Sequence, residues 1–259
     1  MTDDAPPSDP ASRDDACAEA LAAVADVQGW MTPDQARRLW ARARATRSGQ
    51  RIVEIGSYQG RSAIVLARAA PAGVEIVAID PHAGNDRGPR EIHGTADEGR
   101  GDHEAFLANL AAAGVRDQVR HVRKPSSEAL GEVADPIDVL YIDGAHRFGP
   151  ARDDIRDWGH RVADGGTLLI HDSFSSIGVT LAILDQLVFS KAFRYVGRST
   201  SMAEYRREPV RGRERVKSTV RQSAQLPWFV RNVLIKVLIT LHLTPATRLL
   251  GHRSGDWPY

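Results

Sequence analysis

Short apolar runs alternate with helical periodicity along most of the chain. Five runs predict strands, namely RIVEIG, VEIVAID, QVRHVR, PIDVLYIDG and GGTLLIHD. Between them, apolar residues recur every three or four positions in GRSAIVLARAA, HEAFLANLAAAG, SSEALGEV and GPARDDIRDWGHRVA, which predicts helices. A further helix, GVTLAILDQLVFS, precedes two last strands, FRYVGRS and SMAEYRR. The alternation predicts an α/β fold, a doubly wound, mostly parallel seven-stranded sheet with an antiparallel edge.

The pattern divides the chain into four parts. Residues 1–18 are acidic and proline-rich, and we expect a disordered tail there. Residues 19–50 predict helices, one of them starting at Thr32 as N-cap with Pro33 in the first helical position. The alternating α/β domain takes up residues 51–207, and residues 208–259 predict a basic, helical C-terminal extension.

One stretch inside the α/β domain lacks periodicity. It reads PHAGNDRGPREIHGTADEGRGDH and is rich in glycine, proline and charge. Loops of this length in compact domains are usually functional or disordered, so the stretch predicts a lid over a ligand site. Two of its three histidines, His82 and His93, are weaker candidates for contact with a hydroxylated substrate.

Composition excludes several classes of protein. The formal net charge of +1 argues against a general nucleic-acid binder. Cys17 is the only cysteine, so the chain has neither an intramolecular disulfide nor a cysteine-rich metal cluster. The N-terminus lacks the pattern of a signal peptide, and no apolar stretch reaches the roughly 18 residues of a membrane span. We therefore expect a cytoplasmic protein.

The turn IVEIGSYQGRS predicts a ligand site at the end of the first strand. Gly56 and Gly60 allow close approach of the backbone to a ligand, but the glycine spacing is not the one that binds a dinucleotide pyrophosphate. Asp80 ends the second strand, where a carboxylate can accept hydrogen bonds from ribose hydroxyls. The turn therefore favours an adenosine with a compact amino-acid tail, which Glu54 and the backbone of residues 56–58, including Ser57 and Tyr58, would contact.

This arrangement resembles the first motif of class I S-adenosylmethionine-dependent methyltransferases. The motif has an acidic residue, two glycines and a serine, here Glu54, Gly56, Gly60 and Ser62. The resemblance implies S-adenosylmethionine as cofactor and a polar turn facing the adenine at Ser126 and Ser127. Two structural alternatives stay open, namely that Glu54 is a paired structural carboxylate and that Ser126 is a helix N-cap.

Acidic residues and histidines end the fourth and fifth predicted strands. Asp143 ends the fourth, and His171, Asp172 and Ser173 end the fifth. Two carboxylates on neighbouring strand ends favour Mg²⁺, which would hold and acidify a substrate hydroxyl. His146 is a candidate general base, because an unperturbed imidazole titrates near pH 6.5.

Residues 51–173 resemble the metal-dependent O-methyltransferases of the catechol and caffeoyl-CoA type and of bacterial sugar modification. The resemblance implies that Asp143 and Asp172 bind the metal and that His146, three residues after Asp143, is the base. Asp143 would also contact the cofactor. Ser173 stands where the catechol enzymes have a metal-binding asparagine, and His171 where some sugar enzymes have glutamate, so both are candidate ligands. The implied reaction is O-methylation of a sugar, glycolipid or other polar natural product.

The C-terminal extension contains an amphipathic helix within residues 226–243. Its apolar residues recur at steps of three and four, and basic residues are frequent around it. The pattern predicts either peripheral contact with a membrane surface or packing on the domain or across a homodimer.

Three alternatives to the metal-dependent enzyme stay open at this point. They are a metal-independent methyltransferase of the same fold, a nicotinamide-dependent oxidoreductase and a non-catalytic cofactor-binding protein. The absence of the pattern G-x-G-x-x-G disfavours the oxidoreductase, and the joint presence of Asp143, His146 and Asp172 disfavours the non-catalytic protein.

Overall fold

The computed structural model describes residues 10–85 and 93–253, which form one seven-stranded sheet with helices on both faces. The strands are β1 (Arg51–Ile55), β2 (Glu75–Ile79), β3 (Val119–Val122), β4 (Ile137–Ile142), β5 (Val162–Ile170), β6 (Phe193–Ser199) and β7 (Met202–Arg207). The helices are α1 (Pro10–Ala23), α2 (Pro33–Arg44), α3 (Arg61–Ala69), α4 (Ala96–Ala112), α5 (Phe148–Gly159), α6 (Ile177–Gln186), α7 (Gly212–Ser223) and α8 (Leu226–Thr240).

The order of the strands positions the ligand site. It is β3-β2-β1-β4-β5-β7-β6, with β1 to β5 parallel and β7 antiparallel to both of its neighbours. The order reverses between β1 and β4, so the chains leaving these two strands diverge and open a crevice at their carboxyl ends. The predicted doubly wound, mostly parallel sheet is confirmed.

Alternation along each strand builds two cores. In β1, Ile52 belongs to the core under α2 and α3, whereas Val53 belongs to the core under α5 and α6. In β4, likewise, Val139 belongs to the core under α2 and α3 and Leu140 to the core under α5 and α6. Because successive side chains of a strand point to opposite faces, a strand buried on both faces is apolar throughout. This is why the predicted strands are continuous apolar runs.

Three predicted segments differ from the structure. SSEALGEV forms two short 3₁₀ turns, at 126–128 and 130–132, because it is too short to complete an α-helix before β4. The long irregular stretch ends earlier than predicted, since α4 begins at Ala96. Thr95 caps this helix and Glu98 bonds back to the Thr95 backbone. Residues 86–92 of the stretch lie outside the described residues.

The N-terminal boundary also differs. Helix α1 begins at Pro10, so the predicted disordered tail does not extend to residue 18. The alanine-rich segment has high helix propensity, and burial of Ala20 and Val24 anchors the helix to the domain. Residues 1–9 lie outside the described residues.

The C-terminal extension folds back onto the domain. Helix α7 packs on β6, where Ser218 Oγ accepts a hydrogen bond from the Tyr195 backbone N–H at 3.0 Å. At the start of α8, Trp228 and Phe229 pack against the core that lies under α5 and α6. Across residues 10–85 and 93–253, no helix combines the length and the apolar character needed to cross a bilayer.

Candidate functional site

The turn after β1 depends on glycine because two strand ends come close together. Gly56 has a φ of 84°, and a Cβ there would lie 2.2 Å from the carbonyl oxygen of Asp143 at the end of β4. Gly60, with a φ of 89°, is the N-cap of α3, and a Cβ there would contact the ring of Phe106 at 3.2 Å. Gly56 thus allows the close contact between β1 and β4, while Gly60 begins the helix.

Asp80 holds this turn from the end of β2. Its Oδ2 accepts hydrogen bonds from the backbone N–H groups of Ser57 at 3.0 Å and Tyr58 at 2.8 Å. Its Oδ1 accepts one from the backbone N–H of His82 at 2.7 Å. A carboxylate has about four lone-pair sites, so Asp80 keeps acceptor capacity toward a ligand.

Glu54 lies beneath the turn, completely buried. The Ser62 hydroxyl donates a hydrogen bond to its Oε1, and Oε2 has no hydrogen-bond partner in the structure. Burial, reinforced by the charges of Asp143 and Asp80, raises the pKa of Glu54 to about 8 despite the Ser62 hydrogen bond. The raised pKa favours the neutral, protonated carboxyl of Glu54.

A cavity of about 330 Å³ opens at the carboxyl ends of β1, β2, β4 and β5. Most of the predicted site residues line it: Gly56, Ser57, Tyr58, Ser62, Asp80, His82, Ser126, Ser127, Asp143, His146, His171 and Asp172. Among the described residues, the predicted contacts Glu54, Gly60 and Ser173 are not part of this lining, and His93 is exposed. A cavity of this size is typical of small-molecule sites.

His146 and Asp172 form an ion pair in the cavity. His146 Nε2 lies 2.6 Å from Asp172 Oδ2, and the Asp172 side chain is almost completely buried. Burial by itself would lower the pKa of His146, but the hydrogen bond and charge of Asp172, together with the Asp143 charge, raise it above its ordinary value. Burial by itself would raise the pKa of Asp172, but the charges of His171 and His146 hold this pKa well below its usual range.

His171 forms a second pair, with Asp143. His171 Nδ1 lies 3.0 Å from Asp143 Oδ1, and its Nε2 lies 3.4 Å from Oε1 of the buried Gln35. Burial opposes the charged imidazole, but the charges of Asp143 and Asp172 raise the pKa of His171 to about 9. The Tyr141 hydroxyl donates a hydrogen bond to the other Asp143 oxygen at 2.8 Å. The site thus contains two carboxylates and two imidazoles in alternation.

The predicted metal ligands do not fit a divalent cation as they are arranged. Each carboxylate contacts an imidazole whose raised pKa favours the protonated form, and a protonated imidazole cannot be a ligand. The Ser173 hydroxyl is buried and donates to the Ile170 carbonyl at 2.8 Å. In the part of the chain that the structure describes, no group of three His, Cys, Asp or Glu side chains is arranged to hold a metal ion.

Two parts of the cavity wall were not predicted from the sequence. The first is the segment 28–31 before α2, whose Trp30 ring lies 5.5 Å from the Tyr58 ring. The second is Asp154 of α5, which accepts a hydrogen bond from Ser126 Oγ at 2.5 Å. Burial raises the pKa of Asp154 to about 6. Its position among the apolar residues of α5 is a signal that could have identified it, whereas nothing in the sequence marks the segment 28–31.

Comparison with known proteins shows what this domain is similar to. Residues 53–173 match the model of a family described as a methyltransferase domain. Among solved structures, cofactor-bound Rv0187 from MTB is similar, with 22% identity, a TM-score of 0.53 and coverage of 74% of this chain and 89% of that one.

Two further structures have a similar fold. The O-methyltransferase TomG from Streptomyces achromogenes, involved in tomaymycin synthesis and solved in complex with SAM, has 19% identity and a TM-score of 0.54, covering 75% of this chain and 89% of that one. A putative O-methyltransferase from Klebsiella pneumoniae has 16% identity and a TM-score of 0.55, covering 78% and 91%. At these identities the likeness shows the fold, which is that of the class I methyltransferases.

Proposed function

We propose that this chain, whose residues 53–173 match the model of a methyltransferase domain, transfers the methyl group of S-adenosylmethionine to a hydroxyl oxygen of a small acceptor. The observation that carries the proposal is the His146–Asp172 pair in the wall of the cavity beside the glycine turn. An imidazole that is oriented by a buried carboxylate can take the proton that a hydroxyl loses when it is methylated.

The cofactor end of the cavity supports an adenosine with an amino-acid tail. Asp80 offers acceptor capacity to ribose hydroxyls, and Ser126 and Ser127 offer polar groups to the adenine. Gly56 lets the end of β1 pass directly against the Asp143 backbone at this end of the cavity. When bound, S-adenosylmethionine supplies an electrophilic methyl group on a sulfonium. TomG, which shares the fold, was solved with this cofactor.

With the cofactor bound, its methyl group would pass to the acceptor oxygen, and the electron pair of the broken carbon–sulfur bond would stay on sulfur, giving the thioether S-adenosylhomocysteine. His146 in its neutral form takes the hydroxyl proton, and Asp172 stabilises the resulting imidazolium. Solvent then takes the proton from His146. Two bonds form, from the acceptor oxygen to the methyl carbon and from His146 to the proton, and two break, the carbon–sulfur bond and the acceptor O–H bond.

We assign removal of the acceptor's hydroxyl proton to His146 alone, with no divalent cation taking part. The two carboxylates that the sequence suggested as metal ligands are paired with His146 and His171. This favours the metal-independent form of the enzyme, which the sequence left open. Activity that is unchanged by EDTA is the expected result.

The remaining wall of the cavity favours a hydroxylated ring as acceptor. Trp30 and Tyr58 form an aromatic pair, the Tyr58 hydroxyl donates to Gln28 Oε1 at 3.3 Å, and Arg147 also lines the cavity. Sugars and polyhydroxylated natural products have apolar ring faces and polar edges, so they match such a wall. We propose an acceptor of this class.

The decisive experiment combines binding with turnover. Calorimetry should detect binding of S-adenosylhomocysteine and none of NAD. Methyl-labelled S-adenosylmethionine should then label at least one member of a panel of methyl glycosides, catechols and flavonoids, with EDTA present. His146→Ala should abolish labelling without loss of S-adenosylhomocysteine binding, whereas His160→Ala, on the exposed end of α5, should behave as wild type. Binding of NAD in place of S-adenosylhomocysteine would show the proposal to be wrong.

A further inference from the structure

Helix α8 turns its polar side toward the protein. Asn232 is completely buried, and its Nδ2 donates a hydrogen bond to the Phe174 carbonyl at 3.5 Å. Lys236 Nζ donates to the Ser175 carbonyl at 2.9 Å. Ile235 is the buried apolar residue between them. The polar residues of α8 therefore fasten the helix to the turn that follows Asp172.

The opposite side of α8 is apolar and faces solvent. Val230, Leu234, Val237 and Leu241 recur at steps of four, three and four, which puts them in one row along the helix. Their exposed fractions are 53%, 48%, 47% and 60%. A helix on the surface of a globular protein normally has this polarity reversed, with the apolar row inward. Exposed apolar rows of this kind mark interaction sites.

Helix α7, which precedes α8 in the chain, adds exposed basic side chains to the C-terminal extension. Arg213, Lys217 and Arg221 are exposed on α7, together with Val216 and Val220. Between residues 211 and 253 the sequence has nine basic residues and a single acidic one, Glu214. We call the exposed side chains of α7 and α8 the C-terminal face. It combines an apolar row with a strong excess of positive charge.

We propose that the C-terminal face binds an anionic lipid surface, with α8 lying parallel to the membrane. Its apolar row would enter the boundary between headgroups and acyl chains, and the basic residues of α7 would contact lipid phosphates. Helix α8 lies on the surface and does not cross it, consistent with its 15 residues.

Charge favours this occupant over the alternatives. A second copy of the chain docked face to face would bring two sets of Arg213, Lys217 and Arg221 together, and like charges repel. Nucleic acid would pair with the basic residues but would leave the row of valine and leucine exposed to water. An anionic bilayer is complementary to both parts of the face.

The test is flotation of the full-length protein with lipid vesicles. We expect it to float with vesicles of phosphatidylcholine and phosphatidylglycerol in equal parts, and much less with vesicles of phosphatidylcholine alone. Raising the salt concentration should weaken binding, because it screens the basic residues. Arg213→Gln and Lys217→Gln should each lower the partition coefficient by about fivefold.

The apolar row is tested by a matched pair of variants. Leu234→Glu with Val237→Glu should lower partitioning by about tenfold or more, because the row can no longer enter the headgroup region. Ala111→Glu with Ala112→Glu adds the same charge to exposed positions of α4, on the other face of the sheet, and should have a much smaller effect. Circular dichroism confirms folding, and Leu241→Glu, at the exposed end of α8, replaces the double variant if that one unfolds.

Three results would overturn the proposal. The first is that the wild-type protein floats with neither vesicle. The second is an equal loss of binding in the α8 and α4 variants, which would mean that only net charge matters. The third is a dimer in analytical ultracentrifugation that Leu234→Glu with Val237→Glu dissociates, which would assign the face to a second copy. None of these results depends on methyl transfer, so the proposed function is tested separately.

Discussion

His146 and Asp172 reach each other from two different strand ends, with 2.6 Å between Nε2 and Oδ2. His146 belongs to the loop after β4, whereas Asp172 follows β5 in a left-handed conformation, with a φ of 53°. A left-handed backbone is uncommon for residues other than glycine, and aspartate is one of the few that tolerate it. Helix α8 holds the turn that follows Asp172, because Lys236 Nζ donates to the Ser175 carbonyl at 2.9 Å. The pair therefore joins two strand ends, and a third segment distant in sequence supports the turn beside it.

We predict that His146→Ala lowers turnover by roughly 10²–10⁴-fold, because the acceptor hydroxyl loses its base. The dissociation constant for S-adenosylhomocysteine should stay near wild type, since His146 acts on the acceptor. Initial rates with an acceptor found by the labelling screen, together with calorimetry, measure the two effects. Normal turnover by this variant would assign deprotonation to another group.

We predict that Asp172→Asn shifts the acid limb of the pH–rate profile to lower pH and also lowers the maximal rate. His146 must be neutral to accept a proton, so the rate rises as pH increases through its pKa. The Asp172 charge raises that pKa in the wild type, and its removal lets burial lower the pKa. The weaker base that results explains the lower rate. Profiles of the two proteins over pH 5 to 9 check the direction, and an unshifted limb would contradict it.

Glu54→Gln should stabilise the ligand-free protein increasingly as pH rises. The folded-state pKa of Glu54 is raised to about 8 from its ordinary value of 4.5. Between these values the folded protein binds one proton more than the unfolded chain, so Glu54 makes stability fall as pH rises. Glutamine stays neutral and avoids this loss. The difference in Tm should be small near pH 5, grow toward pH 8 and then level off.

Glu75→Gln is the control of opposite sign. Burial, the largest single influence, would raise the pKa of Glu75, but the hydrogen bonds and charges of Arg51 and Arg120 together lower it below its ordinary value. A depressed pKa contributes stability above the unfolded value, and that contribution is lost as pH falls. Glu75→Gln should therefore be destabilised at neutral pH and approach wild type in acid. A Tm difference for Glu54→Gln that did not change with pH would contradict the buried-carboxyl interpretation.

The sequence predicted where the site lies better than how its residues pair. Asp143, His146 and Asp172 follow strands that had to be neighbours in a parallel sheet, so their convergence could be expected. The choice of partners depends on the backbone of single residues such as Asp172, which strand periodicity does not determine. Glu54 was expected to contact the cofactor, and its side chain is completely buried beneath the turn. The alternation of side chains along a strand does not determine how deeply a side chain is buried. The same limit applies to α8, where periodicity revealed two sides without indicating that the polar one would face inward.

We predict that Asp80→Asn weakens binding of S-adenosylhomocysteine by a factor of about 5 to 150, equivalent to about 1–3 kcal/mol. Asparagine keeps one acceptor oxygen, but its NH₂ group would face one of the backbone N–H groups that Asp80 now accepts. Calorimetry measures the affinity and urea unfolding the stability. If Asp80 contacts the ribose, the loss of affinity caused by Asp80→Asn should be smaller for an S-adenosylhomocysteine analogue that lacks the ribose hydroxyls.

Asp138→Asn separates the contribution of a carboxylate to the stability of the fold from its contribution to ligand affinity. Asp138 also bonds the chain near β1, accepting from the Arg51 backbone N–H at 2.8 Å and from Gln50 Nε2 at 2.7 Å. It precedes Val139 in β4, at the end of the sheet opposite the cavity. This variant should lose stability and keep its affinity for S-adenosylhomocysteine. Equal losses of affinity in both variants would mean that Asp80 acts only through the fold.

Gly56→Ala should destabilise the protein far more than Gly49→Ala does, although the two glycines have the same φ of 84°. At Gly49 an added Cβ meets nothing within 4 Å, so the cost is backbone strain alone, about 1–2 kcal/mol. At Gly56 the Cβ would lie 2.2 Å from the Asp143 carbonyl oxygen, so β1 and β4 would have to separate at the crevice. Urea unfolding gives the two free energies of unfolding, and calorimetry should show that Gly56→Ala alone loses S-adenosylhomocysteine binding. Equal destabilisation by the two substitutions would show that the strand ends can separate freely, and the close contact between Gly56 and Asp143 would then not define the site.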